Sequence, residues 1–200
     1  VKRVRIDEIS RRKGHQNFAT VVCDIDHSTL LEVIDSHHQD EIIEVLKQQP
    51  IEVREQVEEV SVDMWGGFPK VVRVVFPNAK VVFDRFHVMQ PMNKELNKIR
   101  KQTKMKIKGS KFILLKNGDD LTKAEKLKLE TILSHAPRLR KAYEFKEEFR
   151  NIFEDHQTPE ESELKILRWL KNARSVYCDV IETIRSHLDG ICGSSGFITE

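Results

Sequence analysis

Residues 59–87 read EVSVDMWGGFPKVVRVVFPNAKVVFDRFH. Residues 59–63 alternate apolar and polar side chains, which predicts a short strand ending on Asp63. Residues 68–76 switch to helical spacing, with Pro69 near the first turn and Pro77-Asn78 as the stop. Residues 80–83 (KVVF) return to strand and again end on an acid, Asp84. A strand, a helix and a second strand in close succession form a βαβ unit, the crossover that parallel strands require. Two parallel strands would therefore each end on an aspartate.

Toward the amino terminus the pattern is different. Residues 2–7, 18–25 and 30–34 read as three consecutive strands. A turn over residues 10–17, with Gly14, and a second at Asp26-His27-Ser28 make them antiparallel neighbours. Residues 40–48 and 51–57 have helical spacing, divided by Pro50. Three antiparallel strands followed by βαβ units give an α/β fold: a mixed five-stranded sheet with flanking helices. Its strand order is that of the ribonuclease H-like fold. In such a sheet the first and fourth strands are neighbours, so Asp7 and Asp63 can meet at their carboxyl ends.

Toward the carboxyl terminus no strand signal persists after His87. Residues 89–107 predict one long basic helix with Leu96, Ile99 and Met105 on its apolar side. Residues 116–119 are a loop. Helices follow after the cap Thr122, over residues 139–153, after Thr158-Pro159, and over residues 174–188. The expected division is a core over residues 1–112, an all-helical insertion over 113–188, and a returning segment over 189–200.

The chain has 200 residues, 34 Lys and Arg against 32 Asp and Glu, and a net charge of +2. One residue in three is charged, and no apolar run is long enough to cross a membrane. No signal-peptide pattern opens the sequence, and the three cysteines make no C-x-x-C pair, so a reduced cytoplasmic setting is expected. The near-zero sum hides a segregation. Residues 24–63 hold twelve acids and two bases, whereas residues 94–116 hold nine bases and one acid. That pattern suits a cation-attracting site beside an anion-attracting surface, or two solvated helix faces of opposite sign.

Two carboxylates held close together repel unless a cation lies between them. Oxygen-only ligation suits Mg²⁺ or Mn²⁺, which can serve phosphoryl transfer. Taken alone, each aspartate reads as an ordinary strand-end or capping residue, because Asp is favoured at such positions. Asp84 and His87 form a D-x-x-H that can support such a site or simply close the strand. His37-His38 lacks a third ligand and reads as surface. Lys94, Lys98, Arg100, Lys101 and Lys104 suit phosphate contacts, although an amphipathic solvated helix has the same composition.

Several segments together resemble the transposases of the ISL-three insertion-sequence family. They are IDEISRRKGH at residues 6–15, VSVDMW at 60–65, FPNA at 76–79, FDRFHV at 83–88 and LNKIRK at 96–101. The resemblance implies a ribonuclease H-like catalytic core with an Asp, Asp, Glu triad. Asp7 would be the first acid and Asp63 the second. Glu200 is the candidate for the third: SGFITE at residues 195–200 comes close to the family's Gly-x-x-Glu-Gly motif, with one extra residue before the acid and no following glycine in the sequence. The helical block would be the family's insertion. Family members also carry a zinc element and a helix-turn-helix before the core, so a fragment is expected.

The implied function is metal-dependent DNA cleavage and strand transfer at insertion-sequence ends, by a homo-oligomer acting on transposon-end and target DNA. A non-catalytic DNA-binding or dimerisation remnant, a structure-specific nuclease of the same fold, and a helical module that binds a basic protein remain alternatives.

Overall fold

The structure is a computed structural model and describes residues 1–12, 16–64, 67–105, 107–154 and 158–193. The chain divides into two compact units, Val1–Asp84 and Arg85–Glu200.

The first unit is a sheet with helices. Its strands are β1 (Arg3–Arg12), β2 (Gln16–Asp24), β3 (Thr29–Ile34), β4 (Glu59–Val62) and β5 (Lys80–Phe83). They lie in the order β3-β2-β1-β4-β5. β1 pairs antiparallel with β2, and β2 with β3; β1 pairs parallel with β4, and β4 with β5. This is the mixed five-stranded sheet of a ribonuclease H-like fold, as the sequence predicts. On β1, Val4 and Ile6 are buried while Arg5 between them is exposed, the period-two signature of a strand with one face in the core.

Among the described residues three helices complete this unit: α1 (Gln39–Leu46), α2 (Ile51–Arg54) and α3 (Phe68–Val75). Phe68, Val71, Val72 and Val75 form the buried stripe of α3. An isolated helix of eight residues is well below the roughly 12–15 that are marginal in water. Burial of these side chains, at about 1.5–3 kcal/mol each, therefore holds α3 in place.

The expected turn over residues 10–17 is much shorter. β1 continues to Arg12 and β2 starts at Gln16, with Ser10 opposite Phe18. Backbone pairing extends a hairpin into polar sequence because the ladder does not depend on side-chain hydrophobicity.

The second unit is helical: α4 (Arg85–Gln102), α5 (Ser110–Leu115), α6 (Lys123–Ser134), α7 (Pro137–Glu154), α8 (Pro159–Ala173), α9 (Cys178–Ser186) and α10 (Leu188–Gly193). α6 and α8 each begin with a capping box, Thr122 with Glu125 and Thr158 with Glu161. The core holds Phe149, Trp169 and Tyr177, all fully buried. Their polar handles are satisfied: Trp169 Nε1 donates to the Phe145 carbonyl at 2.8 Å, and the Tyr177 hydroxyl donates to the Ala142 carbonyl at 2.7 Å. Burial pushes the Tyr177 phenol well above its ordinary range.

Three features of this unit differ from the sequence reading. α4 starts at Arg85 and stops at Gln102, not at 107. The Thr103 hydroxyl takes the Arg100 carbonyl at 2.7 Å, and Lys104 adopts a left-handed backbone with φ 55°. That geometry closes the helix. Leu96 and Ile99 are buried on α4 as expected, but Met105 lies beyond its end. α5 carries no sequence prediction. The expected single helix over residues 174–188 is two, because Tyr177 is anchored before α9 and His187 separates α9 from α10.

Candidate active site

The register of the parallel strands decides where the acids fall. Ile6 on β1 pairs with Val62 on β4, and Val62 pairs with Phe83 on β5. The next residue on each chain is Asp7, Asp63 and Asp84. The Asp84 amide donates to the Val62 carbonyl at 3.0 Å, which carries the β4–β5 ladder one step past Phe83. Three aspartates thus stand one step past the last paired residues of three adjacent parallel strands, with neighbouring Cα atoms about 5 Å apart from strand spacing. Asp7 is not at the end of β1, which runs on to Arg12 beside β2. It is at the point where β4 leaves β1.

The three acids have different surroundings. Asp84 is 5% exposed, and Arg5 forms an ion pair with its Oδ2. Arg5 precedes Asp7 by two residues, so it lies on the same sheet face, and its register partner Ser61 is small enough for the guanidinium to reach β5. Asp7 and Asp63 are half-buried. Asp7 Oδ1 accepts the Glu8 amide at 2.8 Å, which restrains its side chain.

Glu8 was not marked by the sequence pattern. Partial burial raises its carboxyl above the usual range, His37 pulls it down, and the charges of Asp63 and Asp7 push it up. This coupling places Glu8 within the electrostatic reach of both acids. Strand alternation assigns Glu8 and Asp7 to opposite faces, so only the ending of β4 beside them could have signalled it. His37 and His38 are exposed, with their rings 4.3 Å apart. Among the described residues, no group of three or more His, Cys, Asp or Glu side chains is arranged to hold a metal ion. Glu200 lies outside the described residues.

The remaining candidates belong to the second unit. His87 lies in the first turn of α4, its ring edge-on to Phe86 at 5.4 Å. Lys94 Nζ donates to Gln90 Oε1 at 3.4 Å. Lys98 approaches Glu95 at 3.3 Å and Asp179 at 3.8 Å. Arg100 is half-buried and donates to Asn97 at 2.9 Å and to the Ser110 hydroxyl at 3.4 Å. Lys101 and Lys104 are exposed, without an ion pair among the described residues. Arg100 thus fastens α4 to α5, while Lys101 and Lys104 present their charge to solvent.

A mixed sheet of ribonuclease H-like order, with aspartates one step past the last β1–β4 pair, defines the class of domain. The comparison with known families narrows it. A family model described as transposase, of the ISL3 DDE type, matches residues 4–198, and the chain belongs to that family. The chain is 23% identical over 201 residues to the transposase for insertion sequence element IS1001 of Bordetella parapertussis, covering 95% of this chain and 49% of that protein. It is 26% identical over 222 residues to the transposase for insertion sequence element IS1557 of Mycobacterium tuberculosis, covering 94% and 49%. The chain therefore spans about half the length of the curated relatives it matches. No helix among the described residues is long and apolar enough to cross a membrane.

Proposed function

We propose that the chain is the catalytic core of a DNA transposase, cleaving DNA at insertion-sequence ends and joining the freed strand to a target. The observation that carries this reading is the register of Asp7 and Asp63, one step past the Ile6–Val62 pair, in a chain of the transposase family.

The donor set is oxygen only and anionic, which fits a hard divalent cation such as Mg²⁺ or Mn²⁺. Asp7 and Asp63 would hold it, with Glu200 as the third acid. Bound there, such an ion supplies an activated water and charge stabilisation for a leaving oxygen. The protein's part is positional. The two strands fix the spacing of the carboxylates, the Glu8 amide restrains Asp7, and Arg5 holds Asp84 at the end of the row. Asp84 and His87 support the site. Lys94, Lys98, Arg100, Lys101 and Lys104 serve the DNA side, with Lys101 and Lys104 as the direct phosphate contacts. In this reading residues 1–112 are core, 113–188 the insertion and 189–200 the start of the returning core segment, and the active form is a cytoplasmic homo-oligomer on DNA.

The test is Mn²⁺-dependent nicking and joining of supercoiled plasmid by the 200-residue chain and by Asp63→Asn. We expect the variant to lose at least about 100-fold in rate, as removing a positioned charge-stabilising group does, with its circular dichroism unchanged. Equal rates would overturn the assignment. Nicking without joined products would instead identify a nuclease, and binding without nicking a non-catalytic DNA-binding remnant.

A further inference from the structure

Phe112 is 77% exposed, more than any other large apolar side chain among the described residues. It is not on a slack loop. It lies in α5, whose Ser110, Ile113 and Leu114 are buried and fix the helix against its neighbours. The segment leading into it is shaped by two left-handed residues, Lys104 (φ 55°) and Gly109 (φ 79°). A residue with a Cβ is strained at the second of these, which is why glycine stands there. The segment is also tied at two points. Lys128 Nζ donates to the Lys108 carbonyl at 2.7 Å, and Arg100 donates to the Ser110 hydroxyl.

The sequence flanking this ring carries charge of one sign. Residues 96–118 contain eight Lys and Arg and no acid. Lys101, Lys104, Lys108 and Lys111 are exposed and make no ion pair among the described residues. An aromatic ring held outward among unneutralised lysines is a poor match to an apolar protein surface, which would strand the charges. It matches a nucleic-acid strand, where phosphates neutralise the lysines and a base covers the ring.

We propose that Phe112 is a base-stacking residue, flanked by Lys108 and Lys111 as phosphate contacts, and that it takes an unpaired or unstacked DNA base. The inference rests on the DNA-binding reading above and adds the form of DNA recognised. In an intact duplex both faces of a base are stacked on its neighbours. The ring therefore gains contact only at a single-stranded tail, a gap or a distorted step.

The experiment measures binding of the full 200-residue chain, in EDTA, to a fluorescent single-strand-tailed duplex and to the same duplex with blunt ends. We expect Phe112→Ala to weaken tailed binding by about tenfold and blunt binding by less than twofold. Phe112→Trp should keep tight binding and quench 2-aminopurine in the tail. Lys108→Gln with Lys111→Gln should lower the slope of log affinity against log salt by about 1.4 on the tail. Phe112 is exposed, so its loss leaves the fold intact, which circular dichroism checks. Equal affinity of Phe112→Ala for the tail, or an equal loss on both forms, overturns the stacking role while leaving the catalytic reading standing. Failure of the chain to bind either DNA overturns both. Loss of nicking in the preceding test with tail binding preserved leaves the stacking role standing alone.

Discussion

Lys146→Met should cost the helical unit about 3–5 kcal/mol. The lysine is 1% exposed and sits on α7 under the loop that precedes α6. Its Nζ donates to the Leu114 carbonyl at 3.0 Å and the Lys116 carbonyl at 2.9 Å, and lies 2.6 Å from Glu147 Oε1. It also stands 4.7 Å from the centre of the Tyr143 ring. Burial is the main cause that lowers its pKa, with the Glu147 hydrogen bond and charge opposing. Methionine keeps the length and the apolar stem but none of the donors. The buried Leu114 carbonyl would lose its partner at about 1–3 kcal/mol, and the part-buried Lys116 carbonyl would lose its own at less. Glu147 would keep Arg150 at 3.0 Å and the Gly118 amide at 3.0 Å, so its charge is not stranded and the total stays near the range for a broken buried pair. Against a typical domain stability of about 5–15 kcal/mol that is a large loss. The assay is urea unfolding of the 200-residue chain followed at 222 nm, about the helix band. A loss below about 1 kcal/mol would refute the view that this ammonium secures the loop. So would full rescue of Lys146→Met by Glu147→Gln, because the orphaned carbonyls persist in the double variant.

Other expectations follow from single contacts. Arg5→Ala removes the partner of buried Asp84; because the arginine side chain is 47% exposed the pair is partly screened, and the expected loss is about 1–2 kcal/mol by urea unfolding. Thr122→Ala and Thr158→Ala each break a capping box, and each should lower stability by about 1 kcal/mol, read as faster amide exchange at the starts of α6 and α8. Acidification should act unequally on the two units. In the helical unit Asp119, Glu125 and Glu130 are held below the usual carboxylate range, chiefly by the Arg150 side chain, the Thr122 backbone amide and the Arg140 side chain respectively. A depressed folded pKa gives stability that is present above the unfolded carboxylate range and is lost as pH falls through the folded value. In the sheet unit Asp24 has the same sign through His27, but burial raises Glu8 and Glu59, which gain relative stability on protonation. Amide protection factors, referred to intrinsic rates at each pH, should therefore fall more in α6 and α7 than in β1 and β4 between pH 5 and pH 3, about the carboxylate range; equal falls would refute the assignment.

The sheet and its order were legible because each strand carries local evidence. EVSVD alternates and KVVF is a short apolar β-branched run, and the helix between them is bracketed by Pro69 and Pro77. Together they force parallel neighbours and put Asp63 and Asp84 at matching ends. Asp7 was marked by the strand pattern over residues 2–7 and by the family resemblance, but neither shows that β1 runs on to Arg12 past the point where β4 departs. The arginine that pairs with Asp84 looked like one more surface charge.

The helical unit was less legible for a different physical reason. KEEFR at residues 146–150 has the composition of a solvated helix face, yet Lys146 and Arg150 are buried. Their partners are residues 114–119, about thirty positions earlier, and no local pattern records a contact at that separation. The same holds for the end of α4, where a basic run with good helix propensity continues past Gln102 but the chain does not. Thr103 takes the Arg100 carbonyl, Lys104 turns left-handed, and α5 begins from Gly109. That break turns a uniform basic helix into a helix, a shaped loop and a projecting ring. Charge counting along the sequence could locate the positive surface, because charge is additive along the chain. Only the backbone reversal, which is not additive, could show that Lys101 and Lys104 leave the axis of α4 and that the chain re-enters a helix at Ser110 with Phe112 exposed.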